Sequence, residues 1–294
     1  MLSDSVIAKA ILALDEYGFV CVENALSATD VKTIKQALHK SITASEADGV
    51  PTRNYAFDPD SHNQRVFHLF NYDEVFIDLI QRPDALAFVR HQLGDAFLIS
   101  NFSANITEPG NAVMQLHADQ GYVLPPWPDT PLACNVAWLL DDFTVDNGGT
   151  CYVPGSHKLG HGPDPEKQYD TVPIEAPAGS MLVMDGRLWH QTGENRTASQ
   201  TRAALFGYYV LRWIRPQMSW NTMLWPQTIA KLTPEFLHLL GFYTGNVEHQ
   251  IPHGNRAAAR PSDEQLSRVE QAFVLGNQPQ KETACQTQAT PVSY

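Results

Sequence analysis

Apolar residues recur at helical spacing along the first third of this chain and at alternating spacing through its middle. The pattern predicts a helical layer followed by a β-rich core. Val6, Ile7, Ala10, Ile11 and Leu14 share one face of a helix over residues 4–17, and Gly18 ends it. A short strand is expected at Phe19–Val22. Ser27 with Asp30 three positions on has the form of a capping box. It opens a second helix whose Val31, Ile34, Leu38 and Ile42 lie on one side. Residues 45–66 are polar and broken by Asp48-Gly49, Pro51 and Pro59. That predicts a long loop, and long loops in compact domains often serve as lids. Val75–Ile80 and Ala85–Leu93 read as further helices.

From Phe97 the period shortens. Strands are predicted at Phe97–Thr107, Val113–Asp119, Cys134–Leu140, Thr150–Val153, Met181–Met184 and Arg202–Arg212, each bounded by turn residues. Short strands so divided suggest an antiparallel sandwich or barrel. A helix is expected from Thr233 to Leu240, with Pro234 in its first turn, and another over Pro261–Phe273. Beyond Asn277, Gln, Thr and Pro dominate, the composition of a disordered tail. The expected architecture is α+β: one domain over residues 1–276, a jelly-roll core at about 97–215 under an N-terminal helical layer, and a tail over 277–294.

Composition narrows the function classes. With 43% apolar residues the 294-residue chain can bury a sizeable core, and its net charge of −12 argues against nucleic acid or an anionic membrane as partner. Between His91 and Gly186 the only lysine or arginine side chains are Lys158 and Lys167, so a pocket formed there offers little to a polyphosphate. Four scattered cysteines without CxxC spacing read as reduced thiols, and the start lacks a leader pattern. Both point to a cytoplasmic protein.

The chemistry is carried by His117, Asp119 and the distant His190. In a strand, residues two apart face the same way, so Gln115, His117 and Asp119 are expected to share one face. Two histidines and one carboxylate are what a non-haem iron(II) oxygenase offers its metal while keeping positions open. His-x-Asp alone is weak, because these residues also serve turns and caps. His157 and His161 form a rival pair at metal-like spacing, but their Pro/Gly-rich run opposes the helix that would align them. Arg202 lies on the same predicted strand face as Ala204, Phe206 and Tyr208. A buried guanidinium needs an anion, either a core Asp or Glu or the carboxylate of a bound molecule.

These residues carry a resemblance. Leu116-His-Ala-Asp-Gln-Gly-Tyr, Asp146-Asn-Gly-Gly-Thr-Cys-Tyr-Val-Pro-Gly-Ser-His and Leu188-Trp-His-Gln-Thr-Gly-Glu-Asn stand in one order over most of the chain. In this it resembles the phytanoyl-CoA dioxygenase-like branch of Fe(II)/2-oxoglutarate oxygenases. The resemblance implies that His117, Asp119 and His190 ligate Fe(II), and that Arg202 with Thr150 binds the far carboxylate of 2-oxoglutarate. It places Gln115, Asn135 and Thr192 in the same pocket. Relatives often have glutamine three residues before the first histidine; here Met114 holds that place and Gln115 follows it.

Tyr208 is expected to face the substrate, with Gln120 from the first motif and His68 from the expected lid. The loop around Thr52–Asn71, with Tyr55, Phe57 and Phe67, is the expected lid. The implied reaction consumes O2, converts 2-oxoglutarate to succinate and carbon dioxide, and oxidises an unactivated C–H bond of a small natural-product-like metabolite, by hydroxylation, desaturation or rearrangement. Asp119 argues against halogenation, since related halogenases lack that carboxylate. A cupin-like isomerase or hydrolase without 2-oxoglutarate is the alternative, and it needs neither Arg202 nor Thr150. Analogy favours a monomer or homodimer.

Overall fold

The computed structural model describes residues 2–242. The helix expected over Pro261–Phe273 and the tail from 277 lie outside the described residues.

The first helix, α1 (Asp4–Tyr17), stops where Gly18 takes a left-handed φ of 78°. Strand β1 (Phe19–Val22) follows. Helix α2 (Ala28–Ala47) begins with the expected capping box: the Ser27 side chain accepts from Asp30 N–H, and Asp30 accepts from Ser27 N–H. The next strand, β2 (Asn63–Val66), lies inside the stretch read from the sequence as loop. Three helices, α3 (Leu69–Tyr72), α4 (Glu74–Ile80) and α5 (Pro83–Leu93), lead to strands β3 (Phe97–Thr107), β4 (Ala133–Leu139), β5 (Thr150–Tyr152), β6 (Val172–Pro173), β7 (Met181–Asp185), β8 (His190–Thr192) and β9 (Arg202–Leu211). Short helices α6 (Trp220–Met223), α7 (Pro226–Ile229) and α8 (Pro234–Leu239) close the described chain, the last capped by Thr233.

Two antiparallel sheets result. The larger runs β1-β7-β4-β9-β3-β2 and the smaller β6-β5-β8. Every pair in them is antiparallel. One face of the large sheet presents Phe102, Ala104, Val136, Trp138, Val183, Leu205 and Tyr209 to a core shared with Leu14, Ile34, Phe76 and Phe88 from the helices. The other face is mixed. Ala137, Leu139, Leu182, Met184 and Ala204 form a second cluster there. Beside it β3 alternates polar residues inward: Asn101, Ser103, Asn105 and Thr107 pair with Tyr208, Phe206, Ala204 and Arg202 of β9. A polar stripe on a strand that packs apolar on its other face marks a cavity, because polar groups are tolerated inside only with partners or solvent.

The strand expected over Val113–Asp119 does not form. Residues 111–116 run as irregular chain, joined to β8 by a bridge at His117↔His190 and by Met114 N–H to the Thr192 carbonyl at 3.1 Å. The chain then turns at Asp119–Tyr122. Among the described residues no helix is long and apolar enough to cross a membrane.

Candidate metal centre and its cavity

His117 and His190 are direct antiparallel partners, exchanging backbone hydrogen bonds at 3.0 and 2.8 Å. Opposed residues project to the same side, so their ring centres lie 4.5 Å apart. Each ring places Nδ1 against a carbonyl two residues earlier, His117 against Gln115 at 3.0 Å and His190 against Leu188 at 2.9 Å. A carbonyl only accepts, so both Nδ1 atoms carry the proton and both Nε2 atoms offer a lone pair. Both Nε2 atoms are 3.8 Å from Asp119 Oδ1. These three side chains would hold a single metal ion between them. The three ligand atoms lie within 4.8 Å of one another, and no other group of three or more such side chains converges among the described residues.

The turn carrying Asp119 is held from several sides. Ala118 is buried with Trp127 and Trp189. Asn135 Nδ2 donates to Asp119 Oδ2 at 2.9 Å, which leaves Oδ1 directed between the imidazoles. The Tyr208 hydroxyl donates to the Asp119 carbonyl at 2.9 Å and lies 3.3 Å from the Tyr122 hydroxyl. Burial pushes the Tyr208 phenol up, with Asp119 and Tyr122 adding to it, so it stays a neutral donor. Burial, then His190, lowers His117 to about 4 against the pull of Asp119, and the ring is neutral at ordinary pH as a ligand must be. Outer partners of this kind are expected to matter: Asn135→Ala should weaken metal binding by roughly 10–100-fold, read by calorimetric titration with Ni(II).

The three side chains open into a cavity of about 620 Å³, bordered also by Thr150, Thr192, Phe206 and Tyr208. Thr150 and Thr192 are paired across β5 and β8. Arg202 is fully buried and is not among the residues that border this cavity. Its Nε and Nη2 reach the Gly148 carbonyl, its Nη1 donates to Asn105 Oδ1 at 3.0 Å, and its Cζ sits 4.5 Å over the Phe143 ring. Among the described residues no carboxylate comes within 4.0 Å of it. Burial, then Arg65, pushes the guanidinium down to about 9, so it remains a cation at neutral pH. Of the two anions open to Arg202 in the sequence, no core Asp or Glu among the described residues pairs with it directly, although Asp141 acts on it at longer range.

Several expected positions need correction. Gln115 is exposed and outside the cavity wall; without a regular strand there is no parity to align it with His117, and Met114 and Leu116 line the cavity instead. Gln120 is fully buried beneath the turn, where its Oε1 accepts from Leu132 N–H at 2.8 Å, so it does not face a substrate. His68 is half-buried at the left-handed start of α3, beside the Met223 backbone and away from the cavity. Asn135 lines the cavity but uses its N–H on Asp119. His157 is buried with neither ring nitrogen bonded, His161 lies tilted 5.4 Å from Trp189 with its Nδ1 on the Gly162 carbonyl, and neither belongs to a group of three or more ligating side chains among the described residues.

The sequence reading missed Arg65, Asn101, Ser103 and Gln217, which line the cavity with the predicted lid residue Phe57. The alternating polar residues of β3 were the signal available for two of them. Arg65 carried none, because β2 lacks an apolar rhythm.

Three comparisons with known proteins bear on this site. The family profile described as phytanoyl-CoA dioxygenase matches residues 14–204, a span that includes His117, Asp119, His190 and Arg202. Dioxygenase af480 of Aspergillus fumigatus is 42% identical over 230 residues, covering 77% of this chain and 74% of that protein. The crystal structure of HygX from Streptomyces hygroscopicus, with nickel and 2-oxoglutarate bound, shares the fold with a TM-score of 0.59 at 17% identity, covering 74% of this chain and 90% of that one. The non-haem α-ketoglutarate-dependent epimerase SnoN from nogalamycin biosynthesis gives a TM-score of 0.58 at 19% identity, covering 74% and 88%. The chain therefore belongs to the phytanoyl-CoA dioxygenase family.

Proposed function

We propose that this protein is an iron(II)- and 2-oxoglutarate-dependent oxygenase that oxidises a C–H bond of a small organic molecule, on a double-stranded β-helix core. The observation that carries the reading is the pairing of two unsatisfied features, one lining the cavity and one buried beside the Gly148 turn that leads into Thr150. A two-imidazole, one-carboxylate donor set converges on one point, and a buried cation with no carboxylate within 4.0 Å among the described residues sits against the Gly148 carbonyl. His117, Asp119 and His190 would hold the metal. Arg202, with Thr150 and Thr192 on the way to it, would take the distal carboxylate of the co-substrate. That guanidinium has N–H groups left over, and bidentate carboxylate recognition is what it does best.

When bound, iron would activate O2, which is the oxidant, and 2-oxoglutarate would supply two of its electrons as it is converted to succinate and carbon dioxide, the substrate C–H bond supplying the other two. The chain's own part is placement and exclusion of water. Asn135 and the Tyr208 hydroxyl keep the Asp119 turn aimed. Phe57, Leu116 and Tyr122 form an apolar rim, and Phe57 packs with Tyr55 and Phe67 at 5.3–6.1 Å between ring centres. Such a rim suits a mainly apolar substrate better than an acyl-CoA. The compounds named with HygX and SnoN, hygromycin B and nogalamycin RO, support a natural product as the substrate class. Hydroxylation, desaturation and rearrangement all fit this geometry. A cupin-like isomerase or hydrolase gives Arg202 no task.

The reading is tested by binding. Titrating 2-oxoglutarate into the Ni(II)-loaded protein should give saturable one-to-one binding that disappears without metal. No binding at millimolar 2-oxoglutarate would overturn it.

A further inference from the structure

A continuous file of side chains runs from Arg202 to the loop in front of the cavity. Arg202 Nη1 donates to Asn105 Oδ1 at 3.0 Å. Asn105 Nδ2 donates to Asn63 Oδ1 at 2.6 Å, and Asn63 Nδ2 donates to Asp58 Oδ2 at 2.6 Å. Arg65 Nε donates to that same oxygen at 2.7 Å. The direction of the file is forced by its ends. A guanidinium only donates and an ionised carboxylate only accepts, so both amides must turn their oxygen toward Arg202 and their nitrogen toward Asp58.

All four members are buried, with exposures of 0, 1, 4 and 8% from Arg202 to Asp58. Buried polar groups in an unbroken file are polarised in one sense, each bond strengthening the next. Asp141 also lies within electrostatic reach of Arg202, but Lys35 and the Ala203 N–H already engage it. The negative charge that Arg202 reaches through an unbroken run of hydrogen bonds is Asp58, two amides away and shared with Arg65. Asp58 belongs to the loop that carries Phe57 to the cavity rim. Its partners Asn63 and Arg65 stand two apart on β2, with Arg65 opposite Asn105.

We propose that Asp58, Asn63 and Asn105 form a positioning relay: they hold the Arg202 guanidinium in the orientation that receives the co-substrate carboxylate, and so couple co-substrate binding to the order of the loop over residues 51–62. The proposal rests on the co-substrate role given to Arg202 above. Its physical basis is preorganisation. A long side chain anchored at one N–H before binding has less freedom to lose when the anion arrives. Coupling of this kind is reciprocal: if an ordered loop favours the binding orientation, the bound anion favours an ordered loop.

Asn63→Ala cuts the relay at its middle and touches neither arginine nor metal ligand. In the full chain loaded with Ni(II), calorimetry should show the Kd for 2-oxoglutarate raised roughly tenfold or more, the outer-partner range, with Ni(II) affinity changed by less than about twofold. Tryptic cleavage after Arg53, inside the loop, should be slowed by 2-oxoglutarate in the wild type and be insensitive to it in the variant. A wholly structural role for Asn63 would not remove that ligand dependence. Asp58→Asn, nearly isosteric and at the outer end of the file, should show the same loss of protection, and it carries the test if Asn63→Ala fails to fold. Unchanged 2-oxoglutarate affinity with ligand protection retained in the variants would overturn the relay. Wild type that binds no 2-oxoglutarate would overturn the assignment of Arg202 and the relay with it, a failure told apart by appearing before any substitution is made.

Discussion

Asp119→Ala is expected to abolish turnover and to weaken metal binding by more than the roughly 100-fold that marks the upper end for loss of an outer partner. The reason is the charge of the site. Two neutral imidazoles and one carboxylate converge, and the carboxylate is the only anion in the set. Its Oδ1 stands 3.8 Å from both Nε2 atoms, so alanine removes a donor and the sole charge compensation for a divalent ion. Nothing nearby replaces it: the Asn135 side chain that holds Oδ2 is neutral, and Tyr208 stays protonated. Calorimetric Ni(II) titration and succinate formation in the Fe(II)-loaded protein check the outcome. Oxygenation that persists in the variant would refute the assignment of the triad.

Arg202→Ala has the second large effect, on a different quantity. Truncating one partner of a buried charged pair costs about 2 kcal/mol or more, which is roughly a thirtyfold loss of affinity. The apparent Kd for 2-oxoglutarate should rise by at least that factor while Ni(II) binding is nearly unchanged. The fold should tolerate the change better than its full burial suggests. Alanine leaves the Asn105 and Gly148 acceptors without their donor, at about 1–3 kcal/mol for a buried unsatisfied group. It also removes an incompletely compensated cation from the interior, which acts in the opposite direction. Arg202→Lys keeps the charge but loses the planar fork, so its affinity should fall between wild type and alanine. Equal loss of metal and 2-oxoglutarate binding in Arg202→Ala would show that the residue supports the whole cavity and does not serve one ligand.

The same contrast between local and long-range information runs through the fold. Both ends of α1 and the start of α2 were legible because a capping box, a left-handed glycine and a helical apolar face are written in consecutive residues, whereas α2 runs on to Ala47, into the stretch read as loop. The inward face of β9 was legible from parity alone, and Arg202, Phe206 and Tyr208 do share it. Parity failed at residues 113–119, where the chain leaves the ladder after one bridge and turns at Asp119. His117 and Asp119 still converge, but Gln115 points to solvent and Gln120 lies beneath the turn. The apolar rhythm was equally silent about β2, an edge strand whose only apolar residue is Val66 and which exists by pairing with β3.

What the residue order determined by itself is the chemistry on offer: an imidazole and carboxylate one residue apart, a second imidazole ahead of a turn, and an arginine on an inward strand position. Those are properties of side-chain type and short spacing, and short spacing governs local backbone. Only the tertiary structure decided that Arg202 has no directly paired carboxylate among the described residues and meets Asp58 through two amides. Charge compensation in a low-dielectric interior depends on which atoms come within hydrogen-bond reach, and residues 58, 63, 105 and 202 meet only once β2, β3 and β9 have paired.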